Sequence, residues 1–215
     1  MSPTDQDNTQ ADGGDPYSDL RRMTDPRALR ALAHPMRIAL LEAVGVSGSL
    51  TATEAARIVG GTVPNVAYHL RTLAKYDYVV EADGGTGRER PWKLGAVAMS
   101  VDTNSPDPAV SHASRALGAV MTDRWVSRIR HFESHREQYP EEVRAASGSS
   151  HFVLFGTPAE VEQAQAEIGK VLMRFMDRVA DPTARPEGTV PFEMITFTHP
   201  LETAVHADPE TDPEG

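Results

Sequence analysis

Two adjacent glycines, Gly60 and Gly61, stand between two segments of helical period. No other feature limits the fold as much. A helix does not run through such a pair cheaply, since each glycine costs about 1 kcal/mol relative to alanine. Glycine is also the residue that reverses a chain through left-handed backbone at no steric cost. Upstream, Thr51-Ala52-Thr53-Glu54 reads as a capping box, with Thr51 capping the first free amides and Glu54 reaching back. The helix it opens is short and ends at the glycines. Downstream, Thr62 is placed to cap a second helix, and Pro64 is tolerated in its first turn, where the missing amide has no partner anyway. Val66, Leu70 and Leu73 then share one face, while Asn65, Tyr68, His69, Arg71 and Lys75 occupy its other sides. Two helices joined by a tight turn, the second apolar on one side and polar on the rest, have the composition and geometry of a helix-turn-helix. The second helix is expected over 62–76.

The flanking sequence completes a small domain. A helical pattern begins at Pro26, with Leu29 and Leu32 on its apolar face, and is interrupted at His34-Pro35. Another helix is expected from Pro35 to about Val44, closed by Gly45 and Gly48. After the glycine turn and its second helix, Tyr78–Ala82 is β-rich, Asp83–Gly87 is a flexible turn, and Arg88–Leu94 can return as a second strand. A hairpin in that place, with Arg88 and Arg90 near its tip, is a wing over 83–91.

The net charge of -10 argues against a polyanion partner only until it is divided along the chain. Residues 1–19 carry -5, residues 20–95 carry +4, residues 96–201 carry -4 and residues 202–215 carry -5. Positive charge is therefore concentrated in the block that holds the two helices, and local charge is what a polyanion meets. The ends, 1–19 and 202–215, are acidic and poor in large apolar residues, and are expected to be disordered tails. No apolar run approaches the roughly 18 residues that span a bilayer. The acidic start is unlike a secretory signal, so a cytoplasmic protein without a membrane partner is expected. The absence of cysteine removes disulfides, thiolate ligands and a cysteine nucleophile together.

The runs LRALAHPMRIALLEAV, LTATEAARIVGGTVPNVAYHLRTLAKYDYVVE and GGTGRERPWKL occur in this order between about Asp25 and Gly95. In that combination the block resembles the ArsR-like winged helix-turn-helix transcription regulators, over about a third of the chain. The resemblance implies a winged fold, double-stranded DNA as partner and a role in regulation. Metal-sensing members carry cysteines on the first helix of the motif. Here that segment is Thr53–Arg57 and has none, which removes the usual metal signal; no metal site or cofactor is expected.

Placed on the motif, Asn65 can pair bidentately with adenine and Arg71 can serve guanine or phosphate. Tyr68 offers a hydroxyl or a face for a thymine methyl. His69 points either inward or toward phosphate. Thr62 and Pro64 stand at the helix start, where amides can hold a phosphate. Lys75, Arg88 and Arg90 would meet flanking phosphates or the minor groove. The competing reading is a set of ordinary solvated residues on an amphipathic helix.

Residues 96–108 read as a linker. Beyond it, Val110, Ala113, Leu117, Met121, Trp125, Ile129 and Phe132 recur at helical steps, predicting a long helix over about 109–139. A helix of that length needs a partner for its stripe, either its own chain or a second copy, and a homodimer is expected because operators are read by two-fold pairs. His151–Phe155 reads as a buried strand, Thr157–Glu160 as a second capping box opening a helix to about Ala180, and Val190–Thr198 as another strand. The fold class expected is therefore mainly α with a small β component. It comprises a winged helix-turn-helix over 20–95 and an α-β-α-β region over 109–201 for dimerisation and effector binding. Trp125, Phe132, Leu172, Phe175, Met176, Phe192 and Met194 could line a pocket for a small apolar effector, or simply form core. His131 and His135 lie one helical turn apart, but the run HFESH displaces the glutamate of a zinc-protease motif, and a surface pair is the expectation.

No phosphate loop, nucleophile elbow or paired-carboxylate arrangement points to an enzyme. The reading reached is a sequence-specific DNA-binding regulator, a homodimeric repressor at a palindromic operator. The alternative is a winged-helix protein-interaction module that does not bind DNA.

Overall fold

The computed structural model describes residues 21–83, 90–96, 99–101 and 105–201. The expected acidic tails and the tip of the wing lie outside the described residues.

Four short helices build the first half. Helix α1 (Pro26–Leu32) starts at Asp25, whose carboxylate accepts from the Arg27 amide at 2.8 Å. Helix α2 (Pro35–Ser47) starts at His34, whose Nδ1 accepts from the Met36 amide at 3.1 Å. The interruption read at His34-Pro35 is thus a histidine cap followed by a proline whose ring pre-sets the helical φ. Helix α2 runs past Gly45 and stops at Gly48, where φ is +82°. Helix α3 (Ala52–Val59) opens on the expected capping box, with both of its hydrogen bonds formed between Thr51 and Glu54. Gly60 and Gly61, at φ +80° and +96°, turn the chain into helix α4 (Val63–Ala74).

Two small sheets brace these helices. Strand β1 (Arg21–Met23) pairs in parallel with β5 (Met99–Val101). The segment read as a linker over 96–108 therefore contributes a strand, which corrects that expectation. The pairing partner lies far away in the sequence, and a three-residue strand carries almost no local signal. Strands β2 (Ser49–Leu50), β3 (Val79–Glu81) and β4 (Trp92–Leu94) form an antiparallel sheet in the order β2-β4-β3. The hairpin of the wing is β3 against β4, with Val80 opposite Lys93.

Helix α5 (Pro108–His135) packs its first turns on α1 and into the common core through Val110, Ala113 and Leu117. That core joins Leu29 and Leu32 of α1, Ile38, Leu40 and Val44 of α2, Val66, Leu70 and Leu73 of α4, and the start of β3. Fully burying a leucine contributes about 1.5–3 kcal/mol, so α4 is held in place mainly by its inward stripe. Tyr78 adds a buried hydrogen bond, its hydroxyl donating to the Ala28 carbonyl at 2.8 Å.

Helices α6 (Glu141–Ala146), α7 (Pro158–Met173) and α8 (Asp177–Ala180) complete the chain. The second capping box, Thr157 with Glu160, opens α7 as expected. The helix expected to reach Ala180 is broken by a turn after Met173. The two expected strands, 151–155 and 190–198, do not form, so the region is helical rather than α-β-α-β. A strand exists only where a neighbour supplies its ladder of hydrogen bonds, and among the described residues no strand pairs with these segments. Phe155 is in consequence fully exposed. Among the described residues, no helix is long and apolar enough to cross a membrane.

The C-terminal region reaches back to α2. Arg185 donates to the carbonyls of Gly45 and Val46, at 3.1 and 2.6 Å. Glu42 accepts from Arg124 Nε at 2.8 Å and lies 2.7 Å from Arg128, which also pairs with Glu193.

Candidate nucleic-acid interface

Helix α4 divides cleanly into two faces. Val66, Leu70 and Leu73 are fully buried, and Thr62, Pro64, Asn65, Tyr68, Arg71 and Lys75 are exposed. The period of 3.6 places Pro64, Asn65, Tyr68, Arg71 and Lys75 along one side, with Thr62 at the cap. Tyr68 is 59% exposed, a large apolar ring held in solvent in the middle of that side. Thr62 occupies the cap position but its hydroxyl makes no capping hydrogen bond. The first-turn amides of α4 are therefore not satisfied by that side chain, unlike those of α3, and they carry the positive end of the helix dipole.

His69 takes the inward of its two readings. It is only 7% exposed and stacks against His34, with ring centroids 4.7 Å apart. It cannot reach phosphate from there. Burial, then the neighbouring His34 and Arg37, hold its pKa below the ordinary 6.5. His34 is lowered as well, by burial and by Arg37. Both rings are thus neutral at pH 7, which lets His34 Nδ1 act as the acceptor that caps α2.

At the wing, Arg90 donates to Glu81 across the hairpin at 2.7 Å, both side chains largely exposed. The pair sits at the loop end of the ladder, beside the rung of Glu81 and Trp92. Arg88 lies outside the described residues.

Beside the outer face of α4 lies an open cleft of about 630 Å³, lined by Arg27, Arg30 and Ala31 of α1, Arg37 of α2, and Tyr68, Arg71, Thr72, Lys75 and Tyr76. Five of its nine lining residues are cationic and none is acidic. The sequence reading included Tyr68, Arg71 and Lys75 but missed Arg27, Arg30 and Arg37. The signal available was the three-residue spacing of Arg27 and Arg30, opposite the buried Leu29 and Leu32.

Seven residues are the candidates for an effector pocket. Phe175, Phe192 and Met194 are each more than half exposed. Trp125 meets Phe197 edge to face at 5.5 Å, and Phe132 meets Tyr139 at 5.2 Å. His131 and His135 stack at 4.2 Å, and His135 Nδ1 lies 2.8 Å from the His131 carbonyl, an arrangement of a helix-surface pair.

Residues 32–79 match the family model of a helix-turn-helix domain. The matched span covers α2, α3, α4 and the first residue of β3. The chain thus carries a helix-turn-helix domain, the module of DNA-binding regulators, here with a small antiparallel sheet that fits a winged form. No match was found among curated proteins.

Proposed function

We propose that this chain is an ArsR-like, cysteine-free transcription regulator that binds a palindromic operator as a homodimer and represses by occupying promoter DNA. Helix α4 lies in the major groove, and the wing follows the adjacent backbone. One observation carries the reading: the outward face of α4 presents Asn65, Tyr68, Arg71 and Lys75 to solvent beside an unopposed cationic surface. Asn65, in the first turns, offers the bidentate amide that suits adenine, and Arg71 the fork that suits guanine or phosphate. Thr62 and the uncapped amides at the start of α4 suit a backbone phosphate.

Dimerisation fits the unequal burial of α5. Its first turns enter the core, whereas Val126 and Ile129 further along are exposed. A second copy would cover that stripe and place two α4 helices on one duplex.

The test is a gel-shift titration on the DNA upstream of its own gene, in rising salt. The reading expects specific binding with two chains per duplex and an affinity that falls with salt by about 0.9 log units per log unit for each phosphate contacted. Asn65→Ala is expected to reduce the specific-to-random affinity ratio by about 5- to 150-fold, the equivalent of 1–3 kcal/mol for one bidentate base contact, with the salt slope unchanged. A chain that prefers no duplex over protein partners would instead be an interaction module.

A further inference from the structure

The cleft beside α4 extends beyond the helix-turn-helix. Arg27 and Arg30 come from α1, which precedes the motif, and they line the same cleft as Arg71 and Lys75 of α4 and Arg37 of α2, whose Nε is buried. Several cations elsewhere on the surface have carboxylate partners. Arg124 and Arg128 pair with Glu42, Arg136 with Glu133, Arg144 with Glu137 and Arg90 with Glu81. Among the described residues none of the five cations of the cleft has a carboxylate partner, and the buried Nε of Arg37 has no hydrogen-bond acceptor. Five like charges around one concavity repel one another, and an anion laid between them relieves that repulsion.

The spacing suits an extended polyanion. Residues three apart on a helix are about 4.5 Å apart along its axis and residues four apart about 6 Å, from a rise of about 1.5 Å per residue. Arg27 with Arg30 on α1, and Arg71 with Lys75 at the end of α4, therefore form two short cationic rows lining one cleft. A DNA strand carries one charge per roughly 3.4 Å of axis. The cleft is open to solvent, and its tyrosines can donate hydroxyls to phosphate or sugar oxygens, while the Thr72 hydroxyl is donated to the Tyr68 carbonyl.

We propose that this cleft is a DNA-backbone channel, in which Arg27 and Arg30 of α1 grip a stretch of sugar-phosphate alongside the groove entered by α4. The proposal rests on the DNA-binding reading above and deepens it. It makes α1 a contact element that adds affinity and salt dependence without adding sequence preference.

The experiment uses the full chain and a random-sequence duplex of 40 base pairs, a probe for phosphate contacts alone. Binding is measured between 50 and 200 mM salt for the wild type and for the double variant Arg27→Ala, Arg30→Ala. Two lost contacts should lower the log-log slope by about 1.8, so that the fourfold rise in salt weakens the variant about twelvefold less than the wild type. The double variant Arg130→Ala, Arg174→Ala removes the same charge outside the cleft and should keep the wild-type slope. Thermal melting of each variant confirms folding; should the first pair not fold, Arg27→Gln with Arg30→Gln replaces it. A slope that is unchanged in the cleft variant, or lowered equally in the control, overturns the α1 contact while leaving DNA binding by α4 in place. A wild type that binds no duplex overturns both.

Discussion

His69 shows how one side chain on a polar-looking helix can belong to the core. Its ring packs on His34, and burial together with the nearby charge of Arg37 disfavours protonation of both rings. Protonation of His34 would also remove the acceptor that caps α2. The sign of the pH effect follows from linkage. Both histidines have folded-state pKa values below 6.5, so the unfolded chain takes up protons first as pH falls. Stability is complete above the unfolded value and is lost as pH falls below it toward the folded values. We expect the melting temperature to drop between pH 7 and pH 5, and the drop to be smaller in His69→Gln. Calorimetry across that window checks this, and an equal drop in the variant would contradict the role given to His69.

The glycine turn makes its claim as part of an element. Gly60 and Gly61 both lie at positive φ, and the α3 capping box fixes the approach from the other side. A Cβ on Gly61 would meet nothing closer than Met36 Cε at 3.7 Å, so space is not the obstacle; φ +96° is. Gly61→Ala should therefore destabilise by about 1–2 kcal/mol through backbone strain alone. Urea unfolding checks it: the midpoint should fall with the slope unchanged, and an unaltered midpoint would mean that the turn relaxes freely. The turn also sets the direction in which α4 leaves α3, and so governs where Asn65 points.

For the molecule as a whole, the notable feature is how little joins its two halves. The fully buried core ends at Leu117 on α5, with Val120 and Met121 packed against it, and the C-terminal region is tied back by Arg185 on the carbonyls at the end of α2, by the cluster of Glu42, Arg124, Arg128 and Glu193, and by Trp125 against Phe197. Cations on the carbonyl end of a helix are favourably placed, but the pairs are partly exposed and each contributes modestly. Arg185→Ala should thus release the segment from α8 to Glu193 without unfolding the first half. Limited proteolysis is expected to cut that segment sooner, with the main melting transition little changed; equal cleavage rates would show that Arg185 is not the tie.

Sequence alone determined the helix-turn-helix and the side of α4 that faces outward. Those features rest on local physics: apolar residues at helical spacing, a capping box, glycines where φ must be positive, and a proline at a helix start. The capping box of α7 and the hairpin of the wing were legible for the same reason. Tertiary structure decided everything that depends on which distant segments meet. It paired β1 with β5, turned His69 inward onto His34, left 151–155 and 190–198 without a strand partner, and brought Arg27 and Arg30 beside Arg71 and Lys75. Period and propensity describe a segment against its immediate neighbours, whereas a strand ladder, a buried ring or a shared cleft needs a second surface whose identity is set only when the core closes.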